Sequence, residues 1–488
     1  MIYILQGHEL KHAAEEMLFH LLPTQTLSRG PSVPEDGDYC LSSLIERDGA
    51  VTVRAETRLD GVTRYSVQQA PVDGLDALSR KRADTELVKL TIYESVVPAL
   101  RQAPVWGALT GVRPAKLARG LIERGMSRGE TAQHLRGHFF VSPARAALAI
   151  RAATTAIELD RRIGPQDVSL YVGIPFCPSR CYYCSFVSST TAQSGHLIEP
   201  YLDALCQEIE ETAALLREAG KRVQSVYIGG GTPTTLSETQ LARLLDVLSR
   251  AFDFSALCEY TVEAGRPDTI TRGKLRTLRT AGVGRVSINP QSMDDQVLAQ
   301  IGRKHSADDV LRAFAQAREA GFGIVNMDVI AGLSGDSADS FARTVERLIE
   351  LSPENITVHT LAIKRGADLT DKAAASAQRQ TVSAMLDSAN NALQMAGYGP
   401  YYLYRQKFTA GGFENVGWCK ADTACFYNVA MMEELQTILS LGAGGVSKRV
   451  DRGTGWIERF NNPKYPLEYI RAGDRLTAGK RKLLLPAP

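Results

Sequence analysis

Cysteine and tryptophan are scarce in this chain, with 8 and 3 among 488 residues, and no apolar run approaches the ~20 residues that cross a bilayer. So dilute a set of thiols excludes a disulfide-stapled secreted scaffold. Charge of one sign is missing too. Lys+Arg 56 against Asp+Glu 54 leaves +2, which gives no electrostatic reason to expect a nucleic-acid partner. No G-x-x-x-x-G-K-[ST] loop is present, so nothing points to a nucleoside triphosphate. The opening Met-Ile-Tyr-Ile-Leu-Gln has neither the basic start nor the long apolar core of a signal peptide, and a cytoplasmic protein is expected. With 44% hydrophobic content, a chain of this length can bury two or three cores.

What cysteine there is, is concentrated. Tyr171-Val-Gly-Ile-Pro-Phe-Cys177-Pro-Ser-Arg-Cys181-Tyr-Tyr-Cys184 places three thiols in C-x3-C-x2-C spacing just after a strand-like segment. Three thiolates are one short of a closed zinc site and one short of the usual set for an iron–sulfur cluster. A [4Fe–4S] cube held by three cysteines leaves one iron free to bind a small molecule, so the spacing favours a reactive cluster. The competing reading is a zinc knuckle completed by Cys206 or Cys419. The remaining thiols, Cys40, Cys206, Cys258, Cys419 and Cys425, read as ordinary buried residues.

From about Val168 one plan repeats: an apolar strand-length segment, a loop, then a segment of helical period. The expected strands are 169–174, 225–228, 260–263, 285–289, 323–330 and 356–361. Four helices are expected to end at Ala219-Gly220, Ala281-Gly282, Ala320-Gly321 and Ala396-Gly397, a glycine just past the last turn being the usual helix stop. Ser237 with Gln240, and Ser306 with Asp309, mark helix starts. Such alternation predicts an α/β fold, an incomplete (β/α)6 barrel with its chemistry at the C-terminal ends of the strands, where Cys177 falls.

The expected domains are an α+β region at 1–160, the partial barrel at 161–397, and a capping region at 398–488. In the first of these, His8/His12 and His134/His138 have metal-compatible i, i+4 spacing. Without a ligand pattern around them they read as ordinary histidines. At the end of the second strand, Gly229-Gly230-Gly231-Thr232-Pro233 lets backbone approach a ligand with no side chain in the way.

The cysteine loop after a first strand, with Gly-Gly-Gly-Thr-Pro after the second, resembles the radical S-adenosylmethionine (SAM) superfamily. Thr261-Val-Glu263-Ala, Arg285-Val-Ser-Ile-Asn-Pro-Gln291-Ser and Asn326-Met-Asp328-Val-Ile-Ala-Gly narrow the likeness to the oxygen-independent coproporphyrinogen III oxidase family. The segments Tyr401-Tyr-Leu-Tyr-Arg405-Gln-Lys and Gly442-Ala-Gly-Gly-Val-Ser-Lys448 are similar to its HemZ-like branch, also called coproporphyrinogen dehydrogenase.

This resemblance implies that Cys177, Cys181 and Cys184 hold a [4Fe–4S] cluster whose fourth iron takes SAM. Tyr171, Gly230 and Glu263 would seat that SAM. Gly231, Thr232, Gln291, Arg303 and Asp328 match positions that contact a second SAM in the best-known branch. The implied reaction converts two propionates of coproporphyrinogen III, or a related tetrapyrrole, to vinyl groups, with electrons from an unidentified donor. Lys364, Arg365, Arg405, Lys407 and Lys448 are candidate cations for a substrate with four carboxylates. One departure stands out: the best-known branch has a further cysteine where this chain has Phe186. That keeps two alternatives open, a haem-binding chaperone and a radical SAM enzyme that opens the ring of haem.

Overall fold

The computed structural model describes residues 1–184, 189–361, 372–406 and 412–485, with the side chains of 372–377 left aside. Phe186, Lys364, Arg365 and Lys407 therefore lie outside the described residues. The chain forms two compact units, one of 1–150, 362–383 and 404–414, the other of 151–361, 384–403 and 415–488.

The first unit is built on a five-stranded sheet in the order Ser28–Arg29, Ile2–Gln6, Tyr39–Arg47, Ala50–Leu59, Val62–Pro71. Strict alternation orients it: Val51, Val53, Ala55, Thr57 and Leu59 point inward along one strand. Two hairpins join its last three strands through Asp48-Gly49 and Asp60-Gly61, all four residues with positive φ, as tight two-residue turns require. Helix Ala77–Val96 packs on this sheet and helix Lys11–Leu21 packs on that helix, and Asp76 caps Ala77–Val96 through the Leu78 and Ser79 amides.

The second unit is organised by an 11-stranded sheet. Its strands in chain order are β1 (Asp167–Ile174), β2 (Arg222–Gly230), β3 (Glu259–Gly265), β4 (Arg285–Ile288), β5 (Ile324–Ala331), β6 (Asn355–Thr360), β7 (Gly399–Arg405), β8 (Glu414–Cys419), β9 (Thr437–Leu441), β10 (Val446–Val450) and β11 (Ile457–Asn461). Their spatial order is β7-β8-β6-β5-β4-β3-β2-β1-β9-β10-β11. All six expected strands are present, and β1 to β6 run parallel. A seventh parallel strand, β9, lies beside β1 and comes from the C-terminal part of the chain. Parallel strands covered on both faces read as continuous apolar runs, and β2 is buried from Val223 through Gly229.

The expected helix signals are met. Gly220, Gly282, Gly321 and Gly397 all take positive φ behind helices Ile198–Glu218, Arg272–Thr280, Ala307–Glu319 and Lys372–Met395. Full capping boxes form at Ser237/Gln240 and Ser306/Asp309. Among the described residues no helix is long and apolar enough to cross a membrane.

Candidate functional site

The cysteine loop leaves the end of β1 and is pinned by the glycine turn that leaves β2. Gly231 N–H donates to the Ile174 carbonyl (2.8 Å) and Thr232 N–H to the Phe176 carbonyl (2.8 Å). Thr232 Oγ1 lies 3.5 Å from Cys177 Sγ. The glycines are needed for this approach. Gly230 has φ +116°, and a Cβ on it would lie 2.9 Å from the Ile174 carbonyl oxygen. A Cβ on Gly231 would meet the Phe176 carbonyl oxygen at 2.6 Å and Cys177 Sγ at 2.9 Å. Part of what the glycine run accommodates is thus the cysteine loop itself.

Arg266, just past β3, fastens the other side of that loop and was not singled out from the sequence. It is buried, binds Asp268 through two nitrogens at 2.9 and 2.8 Å, and donates to Ser179 Oγ (2.9 Å) and toward Cys181 Sγ (3.8 Å). A guanidinium against a thiolate loop offsets negative charge there. Its only sequence signal is position, the residue after Glu263-Ala-Gly at a strand end. Among the described residues no group of three or more His, Cys, Asp or Glu gathers around one metal ion. Cys419 pairs in register with Asn355 at the start of β6, the opposite end of that strand from the one where the parallel strands carry their loops. A cube spreads its cysteines over separate irons, and its ligands do not converge on a point.

Inside the parallel sheet, Tyr171 on β1, Tyr227 on β2 and Tyr427 from helix Phe426–Glu433 form a stack. Tyr227 and Tyr427 are 4.6 Å apart, and Tyr171 lies 6.3 and 6.2 Å from them. Beside it Glu263 accepts hydrogen bonds from Tyr227 Oη (2.6 Å) and the Gly230 N–H (3.3 Å). Burial raises the Glu263 carboxyl to about 7, and the Asp328 charge adds to the shift. Asp328, on β5, accepts from Asn326 Nδ2 (2.8 Å) and faces His359 Nε2 at 3.7 Å. Burial works to raise its pKa, but the nearby His359, the Asn326 hydrogen bond and Thr357 outweigh that and hold it below the ordinary range.

Gln291 follows β4 with φ +69°, a left-handed backbone rare for a side chain of its length. Two main-chain bonds hold it there, its N–H to the Asp328 carbonyl (2.9 Å) and its carbonyl from the Ile330 N–H (3.1 Å). Its buried Oε1 has no partner among the described residues. Arg303 donates to Tyr183 Oη, from the aromatic between the last two cysteines, at 3.2 and 2.7 Å, and its buried Nη1 has no partner among the described residues. Unpaired buried polar atoms at the strand ends fit a ligand that carries both donors and acceptors.

Two candidate cations are displaced by the structure. Arg405 is buried in the first unit, spent on the carbonyls of Gly412 (2.6 Å) and Leu109, and burial lowers its pKa to about 10. Lys448 pairs in register with Ile438, which itself pairs with Ser169 near the start of β1. It therefore lies toward the N-terminal ends of the parallel strands, away from the glycine turn, and donates to the Met431 carbonyl at 3.3 Å. Cys258 is exposed, where a buried residue was expected. The rings of His134 and His138 stack at 4.9 Å, and His138 bonds Glu86 at 2.7 Å.

A model of the radical SAM superfamily matches residues 171–348. The chain is 34% identical over 458 residues to the oxygen-independent coproporphyrinogen-III oxidase-like protein HemZ of Bacillus subtilis (strain 168), covering 92% of this chain and 91% of that one. It is 38% identical over 197 residues to the heme chaperone HemW of the same organism, covering 40% and 51%. Among solved structures, coproporphyrinogen III oxidase (HemN) from Escherichia coli, a radical SAM enzyme, superimposes with a TM-score of 0.51 at 27% identity, covering 67% of this chain and 73% of that one.

Proposed function

Since the chain belongs to the radical SAM superfamily, in the branch of the oxidase-like protein HemZ, we propose that it oxidises coproporphyrinogen III, converting two propionates to vinyl groups to give protoporphyrinogen IX. The observation that carries this reading is likeness along nearly the whole chain, 92%, to an oxidase-like protein, against 40 to 64% for heme chaperones HemW. Superfamily membership brings a [4Fe–4S] cluster and SAM, which when bound supply one-electron chemistry strong enough to take hydrogen from an unactivated carbon.

The residues divide the remaining work. Cys177, Cys181 and Cys184 hold the cluster, with Arg266 and the Gly231 and Thr232 amides fixing their loop. Glu263, oriented by Tyr227, accepts from an ammonium or ribose hydroxyl, and Asp328 and Arg303 offer an acceptor and a donor for a second polar group. Gln291 has a free amide oxygen for the same purpose. The stacked tyrosines fill the sheet interior beneath and keep water from it. For each propionate, one hydrogen leaves the carbon next to the ring, the carboxyl carbon departs as carbon dioxide, and the electron left behind passes to an acceptor of unknown identity as the vinyl double bond forms.

The test is anaerobic incubation with coproporphyrinogen III, SAM and a reductant, followed by chromatography of the porphyrins. A mono-vinyl product that precedes the divinyl one supports the proposal. The likeness of 197 residues to HemW favours a second reading, haem transfer on the same scaffold. Stoichiometric haem binding with no decarboxylated product would replace the first reading by the second.

A further inference from the structure

The first unit contains a cavity of about 250 Å³ lined by His20, Arg101, Arg379, Gln380 and Ser383, with Phe413 as an apolar wall. No Asp or Glu is among its described lining residues. Arg379 stands near the start of helix Lys372–Met395, is half-buried, and makes no hydrogen bond or ion pair among the described residues. A guanidinium withdrawn from water without an acid beside it is expensive, and burial lowers its pKa. Arg101 adds a second cation at the exposed rim. His20 donates its Nε2 proton to the Gly107 carbonyl at 3.2 Å. Burial lowers His20 to about 3, and the charges of Arg405, Arg379 and Lys89 push it the same way. The wall therefore carries positive potential that nothing in the lining neutralises.

We propose that this cavity binds a small oxyanion ligand, a carboxylate or phosphate, through the guanidiniums of Arg379 and Arg101, with Gln380 and the Ser383 hydroxyl as neutral donors. Planar guanidinium forks suit the paired oxygens of either group. The volume lies below the ~300–1,000 Å³ of drug-sized ligand sites and suits a small acid or phosphate ester. Its lining residues include none of the cysteine loop, and binding here does not depend on the reaction assigned to that loop. It gives the first unit a binding role of its own.

The experiment is titration calorimetry with thermal unfolding of the full-length chain at constant ionic strength, using sodium phosphate and sodium succinate as probes and chloride as the reference. At least one probe should bind saturably and raise the unfolding temperature, and which one does so separates phosphate from carboxylate chemistry. Arg379→Gln should weaken that probe at least ten-fold, and Arg101→Gln a few-fold. Arg379→Lys keeps the charge without the fork and should fall between wild type and Arg379→Gln, which keeps the test informative if the glutamine variant does not fold. Cluster content and SAM cleavage should be unchanged in these variants, so failure here is distinct from failure of the proposed reaction. Absence of saturable binding by both probes, or equal affinity in wild type and Arg379→Lys, would overturn the proposal.

Discussion

Replacing Glu263 by Gln should make the protein more stable and worse at binding SAM. Burial raises the Glu263 carboxyl from 4.5 to about 7. For an acid with a raised pKa, the native state holds more protons than the unfolded state between those values. Stability therefore falls as pH rises through that window, and the loss is complete above about 7. The shift corresponds to roughly 3 kcal/mol. An amide carries no such cost, and the Tyr227 hydrogen bond is already contained in the raised value. The net advantage of Glu263→Gln is about 3 kcal/mol at pH 8 and under about 1 kcal/mol at pH 5. Denaturant unfolding of the cluster-free protein at the two pH values measures the difference directly. With the cluster restored, SAM affinity at pH 8 should fall roughly 10- to 100-fold, the worth of one charge-assisted bond. A stability difference that stays flat between pH 5 and 8 would refute the electrostatic argument. Unchanged SAM affinity would remove Glu263 from the binding site.

Three further outcomes are expected. Alanine at Cys177, Cys181 or Cys184 should abolish most of the iron and sulfide after anaerobic reconstitution, whereas alanine at Cys206, Cys258 or Cys419 should not; metal analysis would expose the assignment as wrong if stoichiometric zinc appeared instead. Arg266→Gln removes the two-nitrogen partner of Asp268, leaving Arg303 as the nearby cation, and should cost about 2–3 kcal/mol of stability along with cluster retention, with Arg266→Lys recovering part of both; wild-type unfolding and iron content would show that the loop does not depend on it. Gln291→Gly removes left-handed strain of about 1 kcal/mol and an unpaired amide oxygen, so the cluster-free protein should keep its stability while product formation drops at least ten-fold; equal turnover would make the strained backbone incidental.

The parallel core was legible because several signals agree there. Apolar strand-length runs, Ala-Gly helix stops and capping boxes each point to the same alternation, and the observed strand ends differ from the expected ones by at most three residues. Strand β9 was missed because Thr437–Leu441 is short and its partner in space is distant in sequence, so no local pattern announces the pairing. In the first unit, the Asp48-Gly49 and Asp60-Gly61 turns are strong hairpin signals that show how the strands from Tyr39 to Pro71 connect. At the site, the motif residues stand out because chemistry restricts them. Arg266, Tyr227 and His359 do not, because an arginine after a strand or a tyrosine within one is common, and only the fold brings each against its partner. The substrate cations were sought by position in the C-terminal part, where Arg405 and Lys448 turn out to serve main-chain carbonyls.

The pairing of β9 with β1 sets an order of events during synthesis. Ser169 and Gln436, hydrogen-bonded where these two strands meet, are 267 residues apart in the chain. Until the ribosome has delivered that distant strand, the edge of β1 is bare, and so is the root of the cysteine loop that springs from its end. A growing chain thus shows the thiols of that loop well before it can enclose them, a period in which oxidants and stray metals have free access. Translation pace over the intervening stretch is accordingly a determinant of how much of the protein matures with an intact centre. Slowing it should lower the loaded fraction even when iron and sulfide are plentiful.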